Sequence, residues 1–533
     1  MDQPQLTRRE LLGGAVAGVL LSGARPRAAA RDQQDRAARY LYWGDLHNHN
    51  AVGYGQGSLE RAIAVARAHL DFFAFTGHAS WHDMPKMPGD RHMKWVHGFE
   101  AHTKHWPKTR QLLREANADT FVALLGYEWH SSEFGDYCVL FAEDQPELYL
   151  PDHVNKLLDF AAAKKALAIP HHVGYKQGWR GANFSFFRPS VSPVVEIFSE
   201  HGCTESDRAP FPMLRHSNGG RATANTIQRQ LERGLRFGFV ASSDNHRGYP
   251  GAHGEGVLGV WARDLSAPSL FEAIRARRTY AATGDRIALD VTLNDHPMGA
   301  EVKAGVDRQI DVQVEGQDAL AMIELVRNGR VIDRYFPEDH IQQPFQLPGR
   351  VRCRIQYGWG PWAALNLGRI CEWDMMLTIT GGKFLSASPC FQSAPYDEQA
   401  IDQLRVRSDT EIHLHSFTSR VDCFAEDPTK AVVVEIDAGA DAVLTLSLRQ
   451  PARQTVSARV ADLIEDNVVT FTGGFTTESH IIHRLVFPSE FTASIRWHDR
   501  RPGAKGTDWY YVRVTQHNGH MVWSSPLWVT AGS

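Results

Sequence analysis

The chain has 533 residues, with 57 lysines and arginines against 61 aspartates and glutamates and a formal net charge of −4. A mildly acidic chain without basic runs is not built to hold nucleic acid through its charge, so no nucleic-acid partner is expected. The length predicts two to four domains. The six cysteines form no Cys-x-x-Cys pair, which argues against a cysteine-built zinc site or a redox dithiol.

The first residues run Thr7-Arg8-Arg9-Glu10-Leu11-Leu12, continue as an apolar stretch over 11–21 and end in Ala28-Ala29-Ala30. A charged start, a short apolar middle and small residues at the end predict an export signal over 1–30. The paired arginines predict the twin-arginine export machinery as its partner. The stretch is shorter than the about 18 apolar residues that a bilayer span needs. The expectation is therefore cleavage near Ala30, a periplasmic or secreted protein, and no stable membrane span. An oxidising compartment permits disulfides, expected among Cys353, Cys371, Cys390 and Cys423.

Residues 31–39 are polar and read as a linker, and 40–45 as the first strand. Gly53, Gly55 and Gly57 make a loop. Ser58 can then cap a helix striped by Leu59, Ile63, Ala66 and Leu70. A strand over 71–76 ends in Gly77-His78, and the polar stretch 79–95 reads as a lid loop. A helix over 99–117, with a break at Pro107, leads to a strand over 121–127 that ends in Glu128-Trp129-His130. A strand over 136–141, a helix over 154–166 and a strand over 167–170 follow, the last reaching His171-His172. The pattern closes with a strand over 194–198, helix 225–234, strand 237–241 and helix 269–277.

Alternating strands and helices predict a parallel sheet. About seven such units over 40–286 predict a closed or nearly closed TIM-like β/α barrel, whose strand ends share one mouth. A doubly wound open sheet is the alternative. From 287 to 533 the style changes to short alternating runs, such as 288–293, 309–314, 323–327, 431–436, 442–448 and 510–515. These predict a β-sandwich-rich region of one or two domains.

His47 and His49 stand one residue apart at the end of the first strand. Side chains in a strand repeat every second residue, so both imidazoles face one way and can share a metal ion. Seventeen of the 26 histidines fall between residues 45 and 260, which places any metal site in the first half. Neutral imidazoles together with the carboxylates Glu128 and Asp244 make a mixed nitrogen and oxygen set suited to Zn, Mn or Fe. Water on such metals loses its proton near neutral pH and becomes a nucleophile.

The ordered set His47-x-His49, Thr76-Gly77-His78, Glu128, Pro170-His171-His172 and Asp244-x-His246 resembles the polymerase-and-histidinol-phosphatase (PHP) superfamily of metal-dependent phosphoesterases. Within it, residues 44–49, 125–129, 195–202 and 510–526 are similar to the exported DUF3604 family. The resemblance implies a distorted seven-stranded β/α barrel, two or three divalent metals at its mouth, and hydrolysis of a small-molecule phosphoester. It implies His47, His49, His78, Glu128, His172, His201, Asp244 and His246 as metal ligands, with Glu128 bridging. Glu128, Asp244 and His246 are the implied catalytic set. Two features depart from the family pattern: Gly77 stands where an aspartate is usual, and 50–57 supplies no further histidine or acid. They leave room for fewer metals or for a different reaction on the same cage.

Strand alternation sends His171 and His172 to opposite faces, so His172 is taken as the ligand and His171 as its support. Glu196 and Asp45 are candidates to orient ligating histidines. His130 faces either the mouth or the core. Lys176, Arg180, Arg188 and Arg247 lie in loops near the expected mouth, and Lys176, Arg180 and Arg247 are the candidate phosphate-binding residues. Trp81, Trp95, Trp106, Trp129 and Trp179 read as packing, with a substrate cleft as the alternative. Fold and cage do not fix the reaction. Hydrolysis of C–N or C–O bonds, or a non-catalytic glycan- or envelope-binding role, are the alternatives.

Overall fold

A computed structural model describes residues 39–213, 219–305, 307–341, 345–365, 367–393, 396–420, 427–501 and 506–531. The expected export signal, the linker up to residue 38 and Cys423 lie outside the described residues. The chain forms two compact units: 39–316 with 320–338 and 492–533, and 339–491 with 317–319. Among the described residues no helix is long and apolar enough to cross a membrane.

The first unit is mixed α/β. Its site-bearing strands are β1 (Tyr40–Asp45), β2 (Phe72–Ala74), β3 (His78–Trp81), β4 (Val122–His130), β5 (Tyr137–Phe141) and β6 (Leu167–Pro170). Then come β7 (Val194–Ser199), β8 (Gly202–Cys203), β9 (Gly238–Ala241), β10 (Val257–Ala262) and β11 (Thr279–Ala282). The helices between them are α1 (Leu59–His69), α2 (Met93–Ala116), α3 (Val154–Ala163), α4 (Ile227–Glu232) and α5 (Ala267–Arg275).

One ladder runs β11-β10-β1-β2-β4-β5-β6, and a second is β8-β7-β9. Strands β1, β2 and β4 pair in parallel, as do β7 and β9. The pairs β1–β10, β4–β5 and β5–β6 are antiparallel. The fully parallel sheet read from the sequence is thus corrected. Between β4 and β5 the chain is too short for a crossover, so β5 returns as a hairpin partner. An isolated parallel bridge between Asn48 and Asn245 ties the end of β1 to the segment after β9. The two ladders therefore meet where His47, His49, Asp244 and His246 stand.

Ser58 Oγ accepts from the Arg61 N–H and starts α1, whose Leu59, Ala62, Ile63 and Ala66 are buried. The expected lid over 79–95 is instead β3, a short connection and the first turn of α2. Its histidines and prolines hide a four-residue strand that exists because it pairs with β4. Helix α2 also runs through Pro107 without the expected break. The sequence reading missed β10 and β11, two short apolar runs without a period-two pattern. Strand β10 pairs along β1, and β11 pairs with 521–524, so the last strands of the chain extend the site-bearing sheet.

The second unit holds an eight-stranded sheet among the described residues. Its two long strands, Cys371–Cys390 and Lys430–Gln450, pair antiparallel, with register shifts at Thr380/Gly382 and Phe384/Ser386. The runs read separately as 431–436 and 442–448 are one bent strand, since bulges turn a strand without ending it. Trp373, Met375, Leu377 and Ile379 alternate into the core. Lys430 Nζ is buried and donates to Asp402 Oδ2 at 2.7 Å. Cys138, Cys203, Cys353, Cys371 and Cys390 are all free and buried, so no disulfide joins the described later cysteines.

Candidate metal centre

The extended backbone after β1 turns both His47 and His49 inward, and their Nε2 atoms lie 3.1 Å apart. Asn48 faces the other way, donating from Nδ2 to Ala74 O at 2.9 Å. Asp45 does not touch either imidazole, which corrects its expected orienting role. Its carboxylate accepts from the backbone of His47 and Ser243, from Ser243 Oγ at 2.5 Å and from Gly251 N at 2.7 Å. It holds the chain that carries the histidines, and burial, only partly offset by the Ser243 hydroxyl, raises its pKa to about 6.

Glu128, at the end of β4, is the middle of the site. Its Oε2 lies 2.5 Å from His78 Nδ1, 2.9 Å from His130 Nε2 and 3.6 Å from His49 Nε2. Its Oε1 lies 2.5 Å from His171 Nε2 and 3.8 Å from His47 Nε2. Asp244 supplies the second carboxylate: Oδ1 is 2.8 Å from His49 Nε2 and 3.2 Å from His47 Nε2, and Oδ2 is 2.9 Å from His201 Nε2. His78 Nε2 and His246 Nε2 are 3.1 Å apart. His246 and His201 keep 33% and 14% of their side chains exposed, which marks the open side of the cluster.

His171 and His172 both turn toward the cluster. Strand β6 ends at Pro170, and His172 has φ +30°, so the strand rule that separated them stops one residue too early. His171 reaches Glu128, while His172 Nε2 faces Asp136 Oδ2 at 3.4 Å. His171, expected only as support, therefore stands among the candidate donors together with His172. Asp244 also holds a positive φ, +52°, with its N–H bonded to His47 O at 2.7 Å. Two strained non-glycine residues inside one cluster are the kind of backbone that functional sites stabilise from their surroundings.

A further layer orients these rings. Glu196 Oε2 lies 3.2 Å from His47 Nδ1, and Glu200 Oε1 lies 2.9 Å from His246 Nδ1. Tyr175 OH lies 3.1 Å from His201 Nδ1, and Ser80 O lies 2.9 Å from His130 Nδ1. Asp136 and Glu200 escaped the sequence reading because no periodicity marks them: Asp136 stands at the edge of β5 and Glu200 in the turn after β7. Arg180 is not a free anion binder: it is buried, donates to Asp136 Oδ2 at 2.7 Å and lies over the Trp81 ring. Arg188 bonds Asp159 and Asn155 on α3. Lys176 is exposed and Arg247 half-buried. Gly77 has a steric reason. A Cβ there would meet Val52 O at 2.4 Å and Phe75 Cζ at 2.6 Å, so an aspartate does not fit.

Burial holds His47, His78 and His172 well below the ordinary histidine range and takes His49 down to about 4. Burial opposes charge on Glu128 and Asp244 too, but the surrounding imidazoles outweigh it and keep both well below the usual carboxylate range. Burial, with the Asp244 charge behind it, raises Glu196 well above that range. His47, His49, His78 and His172 thus present neutral imidazoles beside two anionic carboxylates. At His246 burial is outweighed by the Glu200 hydrogen bond and the nearby carboxylate charges, which raise it to about 9, and at His130 by the Glu128 charge above all. Glu200 Oε2, His49 Nδ1 and His172 Nδ1 are buried without a hydrogen-bond partner.

These donors fit divalent cations. Separations near 3 Å are those of neighbouring corners around a cation bonded at about 2.1 Å. Several overlapping groups qualify, among them His47, His49 and Asp244; His49, His78 and His246; His78, Glu128 and His130; and Glu128, Asp136, His171 and His172. His47, Cys138 and His171 form a further one.

Fold and site together define a strand-rich α/β protein with a candidate polynuclear metal centre. No family model matches the chain. It is 27% identical over 333 residues to an uncharacterized protein of Chlamydia trachomatis and to one of Chlamydia muridarum, each match covering 56% of this chain and 49% of the relative. It is 28% identical over 331 residues to one of Chlamydia pneumoniae, covering 57% and 50%. The chain thus spans about half the length of the curated relatives it matches. Among solved structures, it is similar to a two-domain protein containing a predicted PHP-like metal-dependent phosphoesterase from Bacteroides vulgatus, at 13% identity and TM-score 0.31, over 56% of this chain and 85% of that one. It is also similar to Endonuclease Q bound to a duplex with an abasic lesion, at 11% identity and TM-score 0.27, over 44% and 57%. Likenesses of that size leave the argument for function to the site itself.

Proposed function

We propose that this protein is a metal-dependent hydrolase, and within that class an exported phosphoesterase of the PHP type acting on a small-molecule ester. The reading includes a distorted seven-stranded barrel around the site, a sandwich arrangement of the β-rich region and membership of the DUF3604 branch. The observation that carries it is Glu128: a buried carboxylate with five histidine nitrogens between 2.5 and 3.8 Å from its two oxygens.

His47, His49, His78, His171, His201, Asp244 and His246, around a bridging Glu128, would hold two or three cations of the Zn, Mn or Fe type, with His130, His172 and Asp136 beside them. Cations held there lower the pKa of water and offset negative charge on the ester oxygens. In the reaction a water oxygen bonds to phosphorus, the ester P–O bond breaks, and phosphate and an alcohol leave. The chain's own part is orientation. Glu196 would pair with Nδ1 of His47, and Glu200 with Nδ1 of His246, which points each Nε2 into the cluster. Tyr175 fixes His201 from behind. Arg180 neutralises Asp136, and Lys176 and Arg247 would meet an anionic substrate. Arg8-Arg9 and the apolar stretch behind them support twin-arginine export and a periplasmic or secreted location. Replacing both arginines by lysine abolishes export on this reading, and undiminished export removes it.

Elemental analysis of the purified protein, followed by a panel of phosphomonoesters, phosphodiesters, carboxylic esters and amides, tests the function. Metal-dependent cleavage confined to phosphoesters is the expected result. Cleavage of amides or carboxylic esters alone moves the chemistry to C–N or C–O bonds, and a metal-free protein ends the proposal.

A further inference from the structure

Beside the histidine cluster lies a cleft of about 520 Å³ between β3 and α2, lined by Trp81, Val96, Phe99 and Leu150, with Glu100 and Lys104 on the same helix. Its size falls within the range of small-molecule pockets. It adjoins the candidate metal centre through His130. The rings of Trp81 and Phe99 lie 5.9 and 6.0 Å from the His130 ring, and His130 Nε2 is 2.9 Å from Glu128. Tyr54 stacks on His78 at 3.6 Å between ring centres and stands 6.0 Å from Phe99, while Trp95 meets both Tyr54 and Trp81 edge-on. Four half-buried aromatic rings thus wall one side of the donors.

These rings are held in place by their neighbours. Trp81 is fixed by its Nε1–H to Ser132 Oγ at 3.0 Å and by Arg180 over its ring. Val96 and Phe99 are spaced three apart on α2 and share one face of it. A group bound at the metal centre would leave water and contact this wall through the part of the molecule that carries no charge. Resting on the phosphoesterase reading, we infer that the cleft is the subsite for the alcohol portion of the ester, and that this portion is apolar and ring-bearing. The rings fit a flat group through stacked and edge-on contacts, which add to what area burial alone gives.

The test uses the metal-loaded protein with phenethyl phosphate and ethyl phosphate, whose alcohols have similar acidity, so that any preference reports binding. The expected kcat/KM for phenethyl phosphate exceeds that for ethyl phosphate by about tenfold or more. Val96→Asp and Phe99→Ala, both at half-exposed positions, remove most of that preference through KM and leave ethyl phosphate turnover and metal content unchanged. Equal use of the two esters by the unaltered protein, or an equal loss on both in the variants, overturns the inference. Phenethylphosphonate, which is not cleaved, separates the two readings. If no phosphoester is hydrolysed the proposed reaction falls, while weaker phosphonate binding by Val96→Asp still supports the cleft and unchanged binding refutes it.

Discussion

His171 Nε2 lies 2.5 Å from Glu128 Oε1, although strand alternation would send this ring away from its neighbour's side. The chain leaves β6 at Pro170 and bends at His172, and both imidazoles turn inward. His171→Ala should therefore remove metal from the purified protein and cut turnover at least about a hundredfold. His171→Ala protein with full metal content would show that the contact is only packing.

Gly77→Ala adds one carbon where Val52 O and Phe75 already stand within 2.6 Å of its place. Overpacking of this kind costs about 1–3 kcal/mol. Thermal unfolding followed by circular dichroism should show that loss. An unchanged melting temperature would mean that the 52–54 segment gives way freely.

Asp402 accepts from Lys430 Nζ, Ser416 Oγ and Phe417 N in the core of the second unit. Asp402→Ala removes the carboxylate that faces this buried ammonium, a change worth about 3–5 kcal/mol. Replacing both partners by apolar residues of similar volume should recover most of the loss in chemical denaturation, because burying a charge costs more than its bond to Asp402 returns.

His483 and His480 give the second unit an acid limit. Burial, joined by the Arg354 charge, lowers His483 from 6.5 to about 4, and burial alone does the same for His480. The unfolded chain takes up these protons first, so the stabilisation is complete above 6.5 and is lost as pH falls from there to about 4. Fluorescence-monitored unfolding of His483→Gln should show a shallower decline over that window. A decline as steep as in the unaltered protein would place the acid sensitivity elsewhere.

The sequence carried the site where it rests on regular structure. His47 and His49 share a face because they are two residues apart on extended chain. Glu128, Asp244 and His246 follow strands whose apolar runs are plain. It failed where position depends on strand edges and turns. Asp136, Glu200 and the inward His171 have no periodic signature, and Arg180 reads as a loose loop charge until Asp136 is seen beside it. In the fold, β3 was concealed by a polar, proline-rich stretch that becomes a strand only through β4. Strands β10 and β11, which pair with each other, were hidden because their short apolar runs show no period-two alternation. The bent strand Lys430–Gln450 read as two, since a bulge looks like a turn in a linear pattern.

The most direct measurement is the metal content of the unaltered protein beside Glu128→Ala, taken by elemental analysis after gel filtration in metal-supplemented buffer. Two or more divalent cations per chain, falling below one in the folded variant together with phosphoesterase activity, is the predicted result. A chain that binds no stoichiometric cation, or an alanine variant that keeps its metal, would contradict the account.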